Sequence, residues 1–188
     1  MQDRKIQSIV IVGGGTAGWM TAAALSRILG RNYARIRLVE SDQIGTVGVG
    51  EATIPAIHDF NRRLGIDESA FMAFTNATFK LGIEFDGWWR RGERYFHPFG
   101  RFGQDMNGVG FHHYWAKQRA MGSDARLDDY SLPYLAARHG KFRLPDQDPR
   151  SVYSTYSYAF HFDASRYAAY LRMLSEQGGV ERVEGKVT

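Results

Sequence analysis

Apolar residues run without a break from Ile9 to Val12 and stop at a glycine triplet, Gly13-Gly14-Gly15. Four β-branched residues in succession predict a strand, Ile6–Val12, buried on both faces. The next segment, Ala17–Leu29, reads as a helix whose small and apolar residues meet that sheet. Arg35–Glu40 reads as a second strand. Helical patterns follow over 56–64, closed by Gly65, and over Glu68–Asn76, with Asp67 as the cap. Phe79–Phe85 alternates strictly. Phe79, Leu81, Ile83 and Phe85 share one face, and Lys80 and Glu84 take the other, so alternation alone makes Lys80 a solvent-facing strand lysine. Residues 86–150 mix glycine, aromatic and charged residues. Their pattern predicts helices only near Phe111–Met121 and Pro133–His139. The chain becomes regular again with a strand, Tyr153–Phe162. Asp163 then stands at an N-cap before a helix, Ala164–Gln177, in which Tyr167, Tyr170, Leu171 and Leu174 recur at helical spacing. Gly178-Gly179 ends the helix, and Val180–Thr188 begins a further strand, a second return to the sheet.

Strands that alternate with helices predict an α/β fold. Within it, Gly13, Gly15 and Gly18 match the Gly-x-Gly-x-x-Gly turn of a dinucleotide site. Gly13 allows the tight bend, Gly15 lets the backbone approach a pyrophosphate, and Gly18 lets helix and strand pack closely. The free N–H groups at the helix start, around Thr16 and Ala17, then face the phosphates. Glu40 ends the second strand about 20 residues after the turn, where a carboxylate accepts hydrogen bonds from the adenosine ribose. An acid there disfavours a 2′-phosphate and hence NADP. The competing reading is a structural β-α-β unit with an incidental glycine turn.

Composition narrows the class. The chain has 188 residues, no cysteine and a net charge of +4. That length suits one domain with a substantial core. Without cysteine there are no disulfides, thiolate nucleophiles or cysteine metal sites. No apolar run approaches the ~20 residues that span a bilayer, and the N-terminus has no secretory pattern. These features predict a cytoplasmic protein without a membrane partner. Arg90, Arg91 and Arg94 beside Trp88, Trp89 and Tyr95 form the densest basic cluster, but no nucleic-acid motif accompanies them. His112-His113 with His97 lacks the carboxylate or spacing of a metal site. His161 with Asp163 reads as a satisfied histidine beside a helix cap rather than an acid–base pair. The aromatic run from Trp88 to Trp115 fits core packing as well as a substrate box.

Five segments together carry a resemblance. They are Gly13–Met20, Gly48-Val49-Gly50-Glu51-Ala52-Thr53-Ile54-Pro55, Phe79-Lys80, His97-Pro98-Phe99-Gly100 and Phe160-His161-Phe162-Asp163-Ala164. From about Ile6 onward the chain resembles the N-terminal part of the flavin-dependent tryptophan halogenases. The resemblance implies a Rossmann-like FAD-binding fold of the flavoprotein monooxygenase type, cut short after the second crossover. It divides 1–188 into a βαβ unit with a flavin loop (1–55), an inserted helical and aromatic substrate side (56–150), and a return to the sheet (151–188).

The resemblance also implies a chemistry. Reduced FAD, oxygen and halide give hypohalous acid, and a lysine relays it to tryptophan or another indole-like arene. A separate flavin reductase supplies the reduced FAD. The family's lysine falls on Lys80, its flavin loop on Gly50, Glu51, Ala52 and Thr53, and its indole-stacking residues on His97 and Phe99. Glu51 also reads as the N-cap or first-turn acid of the following helix. A neutral Lys80 amine would form an N-halo species, and an ammonium would polarise hypohalous acid. The family's Trp-x-Trp-x-Ile-Pro motif does not occur in these residues, and its catalytic glutamate and halide loop fall beyond position 188. Two other readings remain: a flavoprotein monooxygenase that hydroxylates, and a truncated nucleotide-binding module without catalysis.

Overall fold

The computed structural model describes residues 5–44 and 50–187. In chain order its elements are β1 (Ser8–Val12), α1 (Thr16–Leu29), β2 (Arg35–Glu40), β3 (Gly50–Ala52), α2 (Ala56–Leu64), α3 (Glu68–Thr75), β4 (Thr78–Lys80), β5 (Gly82–Asp86), β6 (Arg94–Pro98), α4 (Phe111–Ala120), α5 (Leu132–Arg138), β7 (Ala159–Asp163), α6 (Ala164–Gln177) and β8 (Glu181–Glu184). They divide into two units, one from the described residues of 1–52, 58–78 and 161–188, the other from 53–57 and 79–160. Of the Gly48–Pro55 segment, Gly48 and Val49 lie outside the described residues.

The first unit is α/β. Its sheet runs β1-β2-β8, all parallel, with Ile11 opposite Leu38 and Val39 opposite Val183. Parallel neighbours put Ile9, Ile11, Ile36 and Leu38 on one face. Helices α1 and α6 pack on each other, and Trp19, Leu38, Tyr167 and Leu171 are each no more than 1% exposed. Phe71 of α3 sets its ring edge-on to Phe162 and Tyr167, at 5.6 and 5.4 Å between centroids. The Tyr167 hydroxyl donates to Asn61 Oδ1 at 2.9 Å, which satisfies both buried groups. Asp163 caps α6 by accepting from the Arg166 N–H at 3.1 Å.

Four strand expectations are corrected, the fourth of them in the second unit. β1 is not buried on both faces: Val10 and Val12 are 58% and 64% exposed, because they point away from the face that carries Ile9 and Ile11. The strand expected over Tyr153–Phe162 begins only at Ala159. Residues Val152–Ser154 form a 3-10 turn instead, held by Ser151 Oγ accepting from Tyr153 N–H and by the Ser154 and Thr155 hydroxyls donating to nearby carbonyls. Such short side-chain bonds compete with a sheet ladder. The last strand is likewise shorter than expected, Glu181–Glu184.

The second unit contains the hairpin β5–β6, paired antiparallel with Ile83 opposite His97. The single strand expected over 79–85 is two strands broken at Leu81; the expected faces hold for Leu81, Ile83, Glu84 and Phe85 and are reversed at Phe79 and Lys80. Lys80 is only 7% exposed, whereas Phe79 is 38% exposed. Phe79 covers part of its ring by stacking on Phe142 at 3.7 Å. The helices expected near 111–121 and 133–139 are α4 and α5.

Candidate functional site

In the first unit a cavity of about 650 Å³ opens at the glycine turn, with Gly13, Gly15, Thr16, Ala17, Glu40 and Glu51 on its wall. The turn is made by backbone geometry. Gly13 has φ +103°, in the region that favours glycine, and its N–H donates to the Val39 carbonyl at 2.8 Å. A Cβ on Gly18 would stand 1.9 Å from the Gly13 carbonyl oxygen, so the helix approaches the turn closer than any side chain permits. Gly15 is the N-cap of α1 and provides no capping side chain, and no acid lies in the first helical turn. The first N–H groups and the positive end of the helix dipole are therefore available to an anion. Nothing lies within 4 Å of a Cβ built on Gly15, so that side of the turn has room for a ligand. These features fit a pyrophosphate.

Glu40 meets this turn through Gly14. A Cβ on Gly14 would sit 1.3 Å from Glu40 Oε2, so only glycine lets the carboxylate lie across the loop. The other oxygen, Oε1, accepts from Arg182 Nε at 2.7 Å and stands 3.7 Å from Arg172 Nη1. Arg182 also donates to Asp42, and to Glu184 Oε2 at 2.9 Å. Its bond to Glu40 is the main cause that holds the Arg182 guanidinium above its ordinary pKa. Gly14, Arg172 and Arg182 were not among the expected site residues. The one local signal is an arginine within a strand that follows a crossover.

Glu51 belongs to β3, opposite Phe162 of β7, with Gly50 opposite Asp163 and Ala52 opposite His161. The first-turn helix reading of Glu51 is thus corrected: it lies in a strand, ahead of the start of α2 at Ala56.

In the second unit Lys80, Thr53 and Phe99 come together. Lys80 Nζ donates to the Thr53 carbonyl at 2.8 Å and lies 5.5 Å from the Phe99 ring centroid. Burial of this amine lowers its pKa from the ordinary 10.5. Thr53 is fixed in turn by Phe160. Its N–H and hydroxyl donate to the Phe160 carbonyl at 3.0 and 2.9 Å, and Oγ1 accepts from the Phe160 N–H at 3.0 Å. The solvent-facing expectation for Lys80 fails because tertiary contacts supply it with a carbonyl and a ring face. Phe99 is 8% exposed. His97 is exposed and lines a different space, a cavity of about 520 Å³ with Phe96, Phe102, Trp115, Arg119 and Arg126. His97 thus stands on a cavity wall, and Phe99, two residues on, is buried beside Lys80. Among the described residues no group of three histidines or acids is placed to hold a metal ion. No helix among them is long and apolar enough to cross a membrane.

The family profile described as tryptophan halogenase matches residues 8–188. The chain belongs to the tryptophan halogenase family. It is 36% identical to tryptophan 6-halogenase ThaL of Streptomyces albogriseolus, over 99% of this chain and 37% of that protein. Among solved structures it is similar to BrvH, a flavin-dependent halogenase from Brevundimonas sp. BAL3, with 48% identity and a TM-score of 0.88, covering 98% of this chain and 36% of BrvH. It is similarly close to Xcc4156, a flavin-dependent halogenase from Xanthomonas campestris, with 50% identity and a TM-score of 0.86, covering 98% of this chain and 36% of that one. The chain thus spans a little over a third of the length of these relatives.

Proposed function

We propose that the chain is the FAD-binding, lysine-bearing portion of a flavin-dependent halogenase that acts on tryptophan or another indole-like arene. The observation that carries this reading is Lys80, an amine buried between a backbone carbonyl and an aromatic ring, in a chain of the tryptophan halogenase family.

Gly13, Gly15, Thr16, Ala17 and Gly18 would hold the pyrophosphate through backbone N–H groups and the helix dipole. Glu40 would accept from the adenosine ribose, and Gly50, Glu51, Ala52 and Thr53 would lie against the flavin. Bound reduced FAD supplies the oxidation of halide by oxygen to hypohalous acid. Lys80 would then hold that oxidant beside the arene. One of its N–H donors is taken by Thr53. An ammonium would offer its remaining donors to the hypohalous oxygen, and a neutral amine would take the halogen onto nitrogen. In both cases a carbon–halogen bond forms, the arene loses a proton, and the hydroxyl leaves as water. Phe99 and His97 would orient the flat substrate by stacking. A separate flavin reductase would deliver reduced FAD, and the residues 56–150 would form the substrate side. A cytoplasmic setting fits these partners.

The test uses the whole polypeptide that carries these residues, with FAD, a flavin reductase, oxygen, bromide and tryptophan or indole. Mass spectrometry is expected to show the bromine isotope pair in the product. Only hydroxylated product would establish the monooxygenase alternative, and FAD binding without any product would establish the non-catalytic one.

A further inference from the structure

Glu40 is offered to the glycine-turn cavity by only one of its oxygens. Oε1 is held by Arg182 Nε at 2.7 Å, with Arg172 at 3.7 Å. Oε2 lies over Gly14, where no Cβ could be accommodated. The same arginine gathers two further carboxylates, Asp42 and Glu184 Oε2, the latter at 2.9 Å. Glu184 also accepts from the Asp42 backbone N–H at 3.1 Å, which closes the network onto the loop after β2. Three carboxylates so close repel one another unless a cation lies among them. A guanidinium is suited to this place because its planar fork meets several acceptors at fixed angles, which a point charge does not do. The Arg182 side chain is 15% exposed and that of Glu40 is 18% exposed, so the contact is poorly screened by solvent.

From this geometry we infer that Arg182 is a positioning residue for the nucleotide: it fixes the Glu40 carboxylate across Gly14 so that Oε2 accepts from the hydroxyls of a bound adenosine ribose. The inference rests on the dinucleotide reading of the cavity. It assigns a role to the last strand of the chain, since the adenosine end of the site is completed only when β8 pairs beside β2. Without Arg182, Glu40 is freed from its anchor and pushed by Asp42 and Glu184 away from the turn. Arg172 makes the longer contact and is already committed to Glu176 at 2.9 Å, so it does not replace Arg182.

The decisive probe compares ADP with 2′,3′-dideoxy-ADP by isothermal titration calorimetry on the chain and its Arg182→Gln and Arg182→Lys variants. The two ligands differ only in the ribose hydroxyls. Hydrogen bonds to a charged acceptor make the wild-type preference for ADP about tenfold or more. Arg182→Gln is expected to abolish that preference while binding dideoxy-ADP within about twofold of the wild type, because its pyrophosphate contacts are untouched. Arg182→Lys is expected to keep part of the preference, having the charge without the fork. A merely structural role would lower both affinities together, and that result would overturn the proposal. Retention of the full preference by Arg182→Gln would also overturn it. Failure of the wild-type chain to bind either ligand would instead overturn the nucleotide reading, and the proposal with it.

Discussion

Replacing Gly18 with alanine sets two effects of opposite sign against each other. Gly18 lies within α1, where alanine is favoured over glycine by about 1 kcal/mol. The added Cβ, however, would stand 1.9 Å from the Gly13 carbonyl oxygen and 3.0 Å from its carbon. That neighbour is backbone and cannot rotate away. Gly13 is held by its hydrogen bond to the Val39 carbonyl and by its φ of +103°, so the turn has little room to retreat. Overpacking costs about 1–3 kcal/mol, and a backbone collision this deep belongs at the upper end. The net expectation is a loss of about 2 kcal/mol. Urea unfolding followed by far-ultraviolet circular dichroism reads it as a lower midpoint at unchanged slope. Gly15→Ala is the matched contrast. Gly15 has φ −70°, a value open to any residue, and no atom lies within 4 Å of its added Cβ. Its stability should fall by only about 0.5–1 kcal/mol, the N-cap preference for glycine over alanine, while FAD binding weakens because the methyl group occupies the cavity wall. A Gly18→Ala protein as stable as the wild type, or a Gly15→Ala protein that binds FAD normally, would refute the reasoning.

Thr53→Val keeps the shape but removes the hydroxyl that both donates to and accepts from the Phe160 backbone, so two hydrogen bonds are lost at once. Urea unfolding should show a loss of about 2 kcal/mol, and an unchanged midpoint would contradict the clamp. Lys80 has a lowered pKa in the folded chain, so the folded chain gives up this proton before the unfolded chain does. Between the lowered value and 10.5 the unfolded state binds more protons, and stability rises with pH across that window. The difference in unfolding free energy between wild type and Lys80→Met should therefore shift in favour of the wild type as pH rises there, and a flat difference would refute it. Tyr167→Phe deletes the hydroxyl that donates to Asn61 Oδ1 at 2.9 Å and should cost about 1–2 kcal/mol in the same assay. A neutral result would show that Asn61 finds another donor.

The parts of the fold that were legible in the sequence are those set by short-range chemistry. The glycine turn needs Gly13 and Gly18 for reasons of backbone geometry, and those reasons can be read from spacing alone. Asp163 marks the start of α6 and Gly65 the end of α2, because caps act on their own helix. The failures share a different origin. Strict alternation placed Phe79 inside and Lys80 outside, but Thr53 and Phe99 reverse them, and neither is adjacent in sequence. The run of serine and threonine at 151–155 satisfied its own backbone locally and shortened β7. The hold of Arg182 on Glu40 spans 142 positions and depends on the register that pairs β8 with β2. No periodicity announces such a contact, and the role of Gly14 follows from it rather than from the turn motif.

The central claim is that Lys80 handles the oxidant that reaches the arene. It is tested most directly with the whole polypeptide that carries these residues and its Lys80→Ala variant, each shown by absorbance to hold the same amount of FAD. Both are supplied with a flavin reductase, oxygen, bromide and indole, and the brominated product is counted by mass spectrometry. The account predicts bromoindole from the wild type and at least about a hundredfold less from Lys80→Ala at equal FAD occupancy. Undiminished bromination by the variant would contradict it.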